Sequence, residues 1–126
     1  MSTAPVLARC AALVAITVSG CRSSVDAEAA RATGGNPARG RSAIVAHGCG
    51  TCHEIPGVDG ADGLVGPPLT SIARRVYLAG RLQNTPDNMT RWVQHPQAIV
   101  PGNAMPEMGI SDQDARDITA FLYTLR

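Results

Sequence analysis

Two cysteines three positions apart with a histidine directly after the second, Cys49-Gly50-Thr51-Cys52-His53, constrain this chain more than any other stretch of its 126 residues. Thiols at that spacing lie on one side of a helical turn. There each can add to one vinyl group of a porphyrin, and the imidazole that follows is carried beneath the iron. The pentapeptide therefore has the spacing of covalent haem attachment through Cys49 and Cys52, with His53 as an axial ligand. A redox dithiol or half of a zinc site would use the same thiols. A dithiol of the thioredoxin type would sit among strands alternating with helices, and a structural zinc would need a second Cys or His pair at metal spacing. The remaining cysteines, Cys10 and Cys21, do not supply one.

The amino terminus has the outline of an export signal. A short polar start containing Arg9 leads into an apolar run from Cys10 to Val18, about half the length that crosses a bilayer as a helix. The run ends Val18-Ser19-Gly20-Cys21, which resembles a bacterial lipobox, where a cysteine is lipid-modified and becomes the new amino terminus. Ordinary cleavage near Gly20, leaving Cys21 as a thiol, is the alternative. Either reading predicts export to the periplasm or the periplasmic face of a bacterial membrane, and neither leaves a cysteine pair for a disulfide. Residues 1–20 are thus expected to be a signal peptide of lipoprotein type. Residues 21–36, with Gly34-Gly35 and no apolar periodicity, read as a flexible tether of about 20 Å reach. Residues 37–126 form one domain.

A domain of about ninety residues supports only a marginal apolar core. Its aromatic residues are Tyr77, Trp92, Phe121 and Tyr123. A buried porphyrin would supply apolar mass that these few rings do not. Every basic side chain is arginine, and losing Arg9 with the signal takes the formal charge from +1 to 0. So even a balance gives nucleic-acid binding no electrostatic footprint.

The punctuation is that of an all-α fold. Pro37 suits the opening turn of a helix running to about Cys49, and a turn-rich loop follows from Ile55 to Gly63. Gly66-Pro67-Pro68 precedes a short helix expected over 69–76. Thr85 caps a helix with Pro86 in its first turn, leading into Met89, Trp92 and Val93 and stopped by Pro96. Ser111 caps the last helix, with Asp114 at the capping-box position and Ala115, Ile118, Phe121, Leu122 and Leu125 at helical spacing. No segment argues for a sheet. Between the last two helices lies Val100-Pro101-Gly102-Asn103-Ala104-Met105-Pro106, an irregular loop whose prolines bracket a methionine. A thioether is a soft ligand that favours ferrous haem and raises the reduction potential. Met105 is the chosen second axial ligand, Met108 the fallback, and Met89 reads as core. Bis-histidine ligation through His95 is the competing arrangement; His47 lies too near the attachment turn to reach the far face.

Gly40-x3-Ile44, Cys49-x2-Cys52-His53, Gly66-Pro67-x-Leu69, Trp92, the Pro-bracketed Met105 and a terminal Phe121-Leu122 together resemble the class I cytochromes c of bacteria, over roughly residues 37–126. Through Asn84-Thr85-Pro86-Asp87-Asn88 and Pro101-Gly102-Asn103-Ala104-Met105-Pro106 the chain is similar to the cytochrome c domains fused to, or working beside, subunit II of haem-copper oxidases. The resemblance implies three to five helices packed around one covalently bound haem c. It also implies that Pro67 offers its carbonyl to the proximal imidazole. Trp92 would donate to a haem propionate or else serve as a core aromatic, and Arg75, Tyr77 and Asn84 are further propionate candidates. Two departures stand out: Ile44 replaces the aromatic ring common in the first helix, and a docking ring of lysines is absent.

These readings predict a single-domain, mono-haem one-electron carrier rather than an enzyme. It would be anchored to a membrane through lipid on Cys21, monomeric, and in transient contact with redox partners in a respiratory chain. A bc1-type complex upstream and a terminal oxidase downstream are the partners the resemblance implies. A haem peroxidase or gas sensor with a displaceable methionine, a dithiol module, and a fixed subunit of a larger complex are the rival readings.

Overall fold

The structure is a computed structural model and describes residues 24–126. The expected signal peptide over 1–20 and Cys21 lie outside the described residues. Five helices enclose one core: α1 (24–33), α2 (Pro37–Ala46), α3 (Pro86–Gln94), α4 (Pro96–Ile99) and α5 (Asp112–Leu122). Single 3-10 turns at Cys49–Thr51 and Ile72–Arg74 and a two-stranded hairpin complete the regular structure.

The segment expected to be a tether is a helix over 24–33. Its alanines have the highest helix propensity of any residue, which outweighs the lack of an apolar stripe. Ala29 is fully buried, and the exposed Glu28 pairs with Arg126 at 2.9 Å. Gly34, at φ 70°, ends the helix, and Asn36 caps the next by accepting from the Arg39 amide at 2.9 Å.

α2 and α5 form the main interface. Gly40 permits it: a Cβ there would overlap the Asp117 carbonyl oxygen and lie 3.0 Å from the Ile118 nitrogen. Asp117, 1% exposed, spans the same crossing. Its carboxylate accepts from the Asn36 amide at 2.6 Å, from Arg39 at 2.7 and 3.0 Å, and from Gln113 at 3.1 Å. Burial pushes this carboxyl up, but those hydrogen bonds together outweigh it and hold the group below the ordinary aspartate value. Ile44 packs into the core with Ile118, Phe121 and Leu122, filling the position where the resembling family carries a ring. α3 joins α5 through Met89 and Val93 and through a hydroxyl pair, Thr90–Thr119, at 3.0 Å.

Three other expectations change. α2 stops at Ala46 rather than reaching Cys49, because Gly48 turns left-handed at φ 69°. The helix expected over 69–76 is one 3-10 turn, followed by an antiparallel hairpin of Tyr77–Leu78 (β1) and Leu82–Gln83 (β2) in register Tyr77↔Gln83. Ala79 and Gly80 at its tip both have positive φ, the backbone of a primed hairpin turn, carried here without an Asn-Gly signal. Pro96 ends α3 and also opens α4, occupying its first turn.

Candidate functional site

The attachment turn is held by backbone before any side chain acts. The Cys52 and His53 amides both donate to the Cys49 carbonyl, at 3.3 and 3.1 Å. The turn-rich loop folds back over them: Gly63 N–H reaches the Gly50 carbonyl at 3.1 Å, and Gly66 N–H reaches the Cys52 carbonyl at 2.7 Å. Cys49 and Cys52 are half-buried free thiols on the wall of a cavity of about 410 Å³. Burial pushes the Cys49 thiol up, with the neighbouring Cys52 adding to the effect. A redox dithiol needs a thiol that ionises easily, so this environment opposes the dithiol reading. Among the described residues no three His, Cys, Asp or Glu side chains gather as a metal cluster.

His53 Nδ1 lies 2.7 Å from the Pro67 carbonyl oxygen. A carbonyl only accepts, so Nδ1 carries a proton and donates, and Nε2 is the ring nitrogen that this bond leaves for a metal. The expected Pro67 contact is therefore present. Gly66 makes room for it, since a Cβ at that position would come within 2.7 Å of Nδ1. Arg75 donates to the Pro68 carbonyl, bracing the same turn.

Met105 and Met108 lie on the cavity wall contributed by the 100–108 segment, and Met89 lines the cavity from α3 while being 2% exposed. The Met105 backbone is bound at both ends. Its N–H donates to Asn103 Oδ1 at 2.7 Å, and its carbonyl accepts from Gln97 Nε2 at 2.7 Å. Trp92, Arg75 and Tyr77 also line the cavity. Tyr77, at 61% exposure, stands at the mouth with Val65, at 71%, beside an 88% exposed Leu64.

Other candidates lie elsewhere. Asn84 does not reach the cavity: its amide donates to the Ile72 and Arg75 carbonyls at 2.9 and 2.8 Å and accepts from the Tyr123 hydroxyl at 3.1 Å. It bridges the hairpin to the chain end and is no propionate donor. His95 faces Glu107 at the surface, 3.7 Å away, and does not line the cavity. His47 is tied to Asp114 on α5 at 3.3 Å. Gln97 drew no attention in the sequence, where a glutamine in a four-residue helix carries no periodic or motif signal.

The residues fit a covalently held haem. Two thiols, an imidazole whose Nδ1 is held by the Pro67 carbonyl, and a thioether line one cavity whose wall is mainly apolar side chains. Comparison with known proteins gives the same direction. The family model described as Cytochrome c matches residues 37–126. The chain is 32% identical over 89 residues to cytochrome c oxidase subunit 2 of Alkalihalophilus pseudofirmus, covering 70% of this chain and 25% of that protein. It is 46% identical over 43 residues to cytochrome c2 of Rhodopila globiformis, covering 33% of this chain and 41% of that protein. The chain thus spans less than half the length of each of these curated relatives. No solved structure matches it.

Proposed function

Because this chain belongs to the cytochrome c family and has the mainly helical fold of class I members, we propose that it carries single electrons through one haem c. Cys49 and Cys52 would hold the group through thioether bonds, with His53 and Met105 as its ligands from the protein. When bound, haem c supplies a one-electron iron couple and nothing else the residues must provide.

The observation that carries this reading is the Pro67–His53 hydrogen bond beside a cavity that the Cys49, Cys52 and Met105 side chains also line. Pro67 fixes the imidazole tautomer and raises its basicity. Met105, its backbone bound at both ends, offers a soft neutral donor to the same group. With His53 and Met105 both given to the group, the chain would bind and orient it and exclude water, and would move no proton in the step. The exposed Val65 and Tyr77 on the cavity wall, with the exposed Leu64 next to Val65 in the chain, offer apolar surface suited to a small, transient redox contact.

The chain's likeness to an oxidase subunit 2 supports delivery to a terminal oxidase in a respiratory chain, with a bc1-type complex as donor. Export to the periplasmic side, with lipid on Cys21 and a monomeric state, completes the proposal. The test is the weak methionine-to-iron charge-transfer band of the ferric holoprotein. Met105→Ala removes it and lowers the potential while the haem stays attached. A band that survives Met105→Ala and vanishes in Met108→Ala overturns the ligand choice.

A further inference from the structure

Backbone groups in an irregular loop must find partners one by one. Around Met105, one side chain outside the loop supplies three of them. Gln97 Oε1 accepts from the Gly102 amide at 3.0 Å, while its Nε2 donates to the Asn103 carbonyl at 2.9 Å and to the Met105 carbonyl at 2.7 Å. The main-chain N–H of Gln97 donates to Glu107 Oε1 at 3.0 Å, so the far end of the segment closes on the same residue. Asn103 adds bonds that stay local, accepting from the Met105 amide at 2.7 Å and donating to the Pro96 and Val100 carbonyls at 3.0 and 2.6 Å. Gln97 sits on α4, directly after the fully buried Pro96, which fixes that helix to the core.

We propose that Gln97 is the positioning residue that sets how firmly Met105 is held over the cavity, and so how often the sixth axial position opens. The inference rests on Met105 being the iron ligand. Gln97 touches neither iron nor thioether; it acts through the Met105 peptide. Removing its amide frees the carbonyls of Asn103 and Met105 and the Gly102 N–H together, and the loop gains an open arrangement in which the thioether has left. A ligand that binds only the open form reports its population directly.

The experiment uses full-length holoprotein: wild type, Gln97→Leu, Gln97→Glu and Met105→Ala, each reduced and mixed with carbon monoxide at fixed pH. Thermal unfolding and the ferric charge-transfer band are recorded in parallel. The expected result for Gln97→Leu is carbon monoxide binding about tenfold faster than wild type, the equivalent of roughly one net hydrogen bond lost from the closed loop, with the band weakened and the haem still attached. Gln97→Glu keeps the acceptor for Gly102 but sets a carboxylate against two carbonyl oxygens, so it also speeds binding. If Gln97→Leu does not accumulate, this second variant gives the same readout. Wild-type rates and band in both variants, whatever their unfolding temperature, overturn the proposal. If wild type already binds carbon monoxide as fast as Met105→Ala, Met105 is not the ligand and both readings fall; slow wild-type binding accelerated by Met105→Ala alone sinks the Gln97 role and spares the ligand.

Discussion

Replacing Gly40 with alanine sets two effects against each other. In an isolated helix the change gains about 1 kcal/mol, because glycine is the poorer helix former. In this fold the new methyl would overlap the Asp117 carbonyl oxygen, well inside the 3.0 Å that Cβ contacts do not undercut, and would sit 3.0 Å from the Ile118 nitrogen. The obstacle is backbone, so no side-chain rotation relieves it; α2 and α5 would have to part by more than about 1 Å. A gap of that size forfeits up to about half the dispersion energy of each contact across it, and overpacking of this kind costs about 3 kcal/mol. The net loss is about 2 kcal/mol, which for a domain of this size lowers the unfolding temperature by roughly 8–16 °C. Far-UV circular dichroism of wild type and Gly40→Ala measures it. An unchanged or raised unfolding temperature would refute the close crossing and the packing account built on it.

Asp117→Asn should destabilise the domain by about 1–2 kcal/mol, since the amide cannot accept from the Asn36 N–H, Arg39 and Gln113 together as the carboxylate does, while the exposed Arg39 returns to water. The folded carboxyl titrates below its unfolded value, so its contribution is present above about pH 4 and is lost as pH falls through the folded value. Unfolding temperature plotted against pH should drop more steeply below pH 4 in wild type than in Asp117→Asn, and parallel curves would contradict the assignment. Asn84→Ala should cost about 2 kcal/mol by orphaning the Ile72 and Arg75 carbonyls, with the haem spectrum unchanged; an altered spectrum would return Asn84 to the site. Gly66→Ala should push the imidazole off Pro67 and lower the guanidinium midpoint of the holoprotein, whereas an unchanged midpoint and Soret band would show that His53 has room to spare.

What could be read in the sequence follows from how local each signal is. Caps and motifs act within four residues, and Thr85, Ser111 and the Cys49–His53 pentapeptide all stand where their spacing put them. Pro67 was legible only through resemblance, since no spacing rule joins a proline carbonyl to a ring fourteen positions away. The helix at 24–33 was missed because its support is alanine propensity and the single buried Ala29, without an apolar stripe. The hairpin was hidden because Ala79 adopts a backbone that sequence assigns to glycine or asparagine. Asn84 looked like a ligand donor because amide side chains advertise no partner; tertiary packing gave it three internal ones. Gln97 was silent for the same reason.

The most direct test of the central claim is the intact mass of the mature protein made in cells with a working haem-attachment system, followed by peptide mapping. The account predicts a red protein heavier by one haem, with the added mass on the Cys49–Cys52 peptide and lost from it when both cysteines are replaced by alanine. A colourless product with unmodified thiols at Cys49 and Cys52 would contradict it.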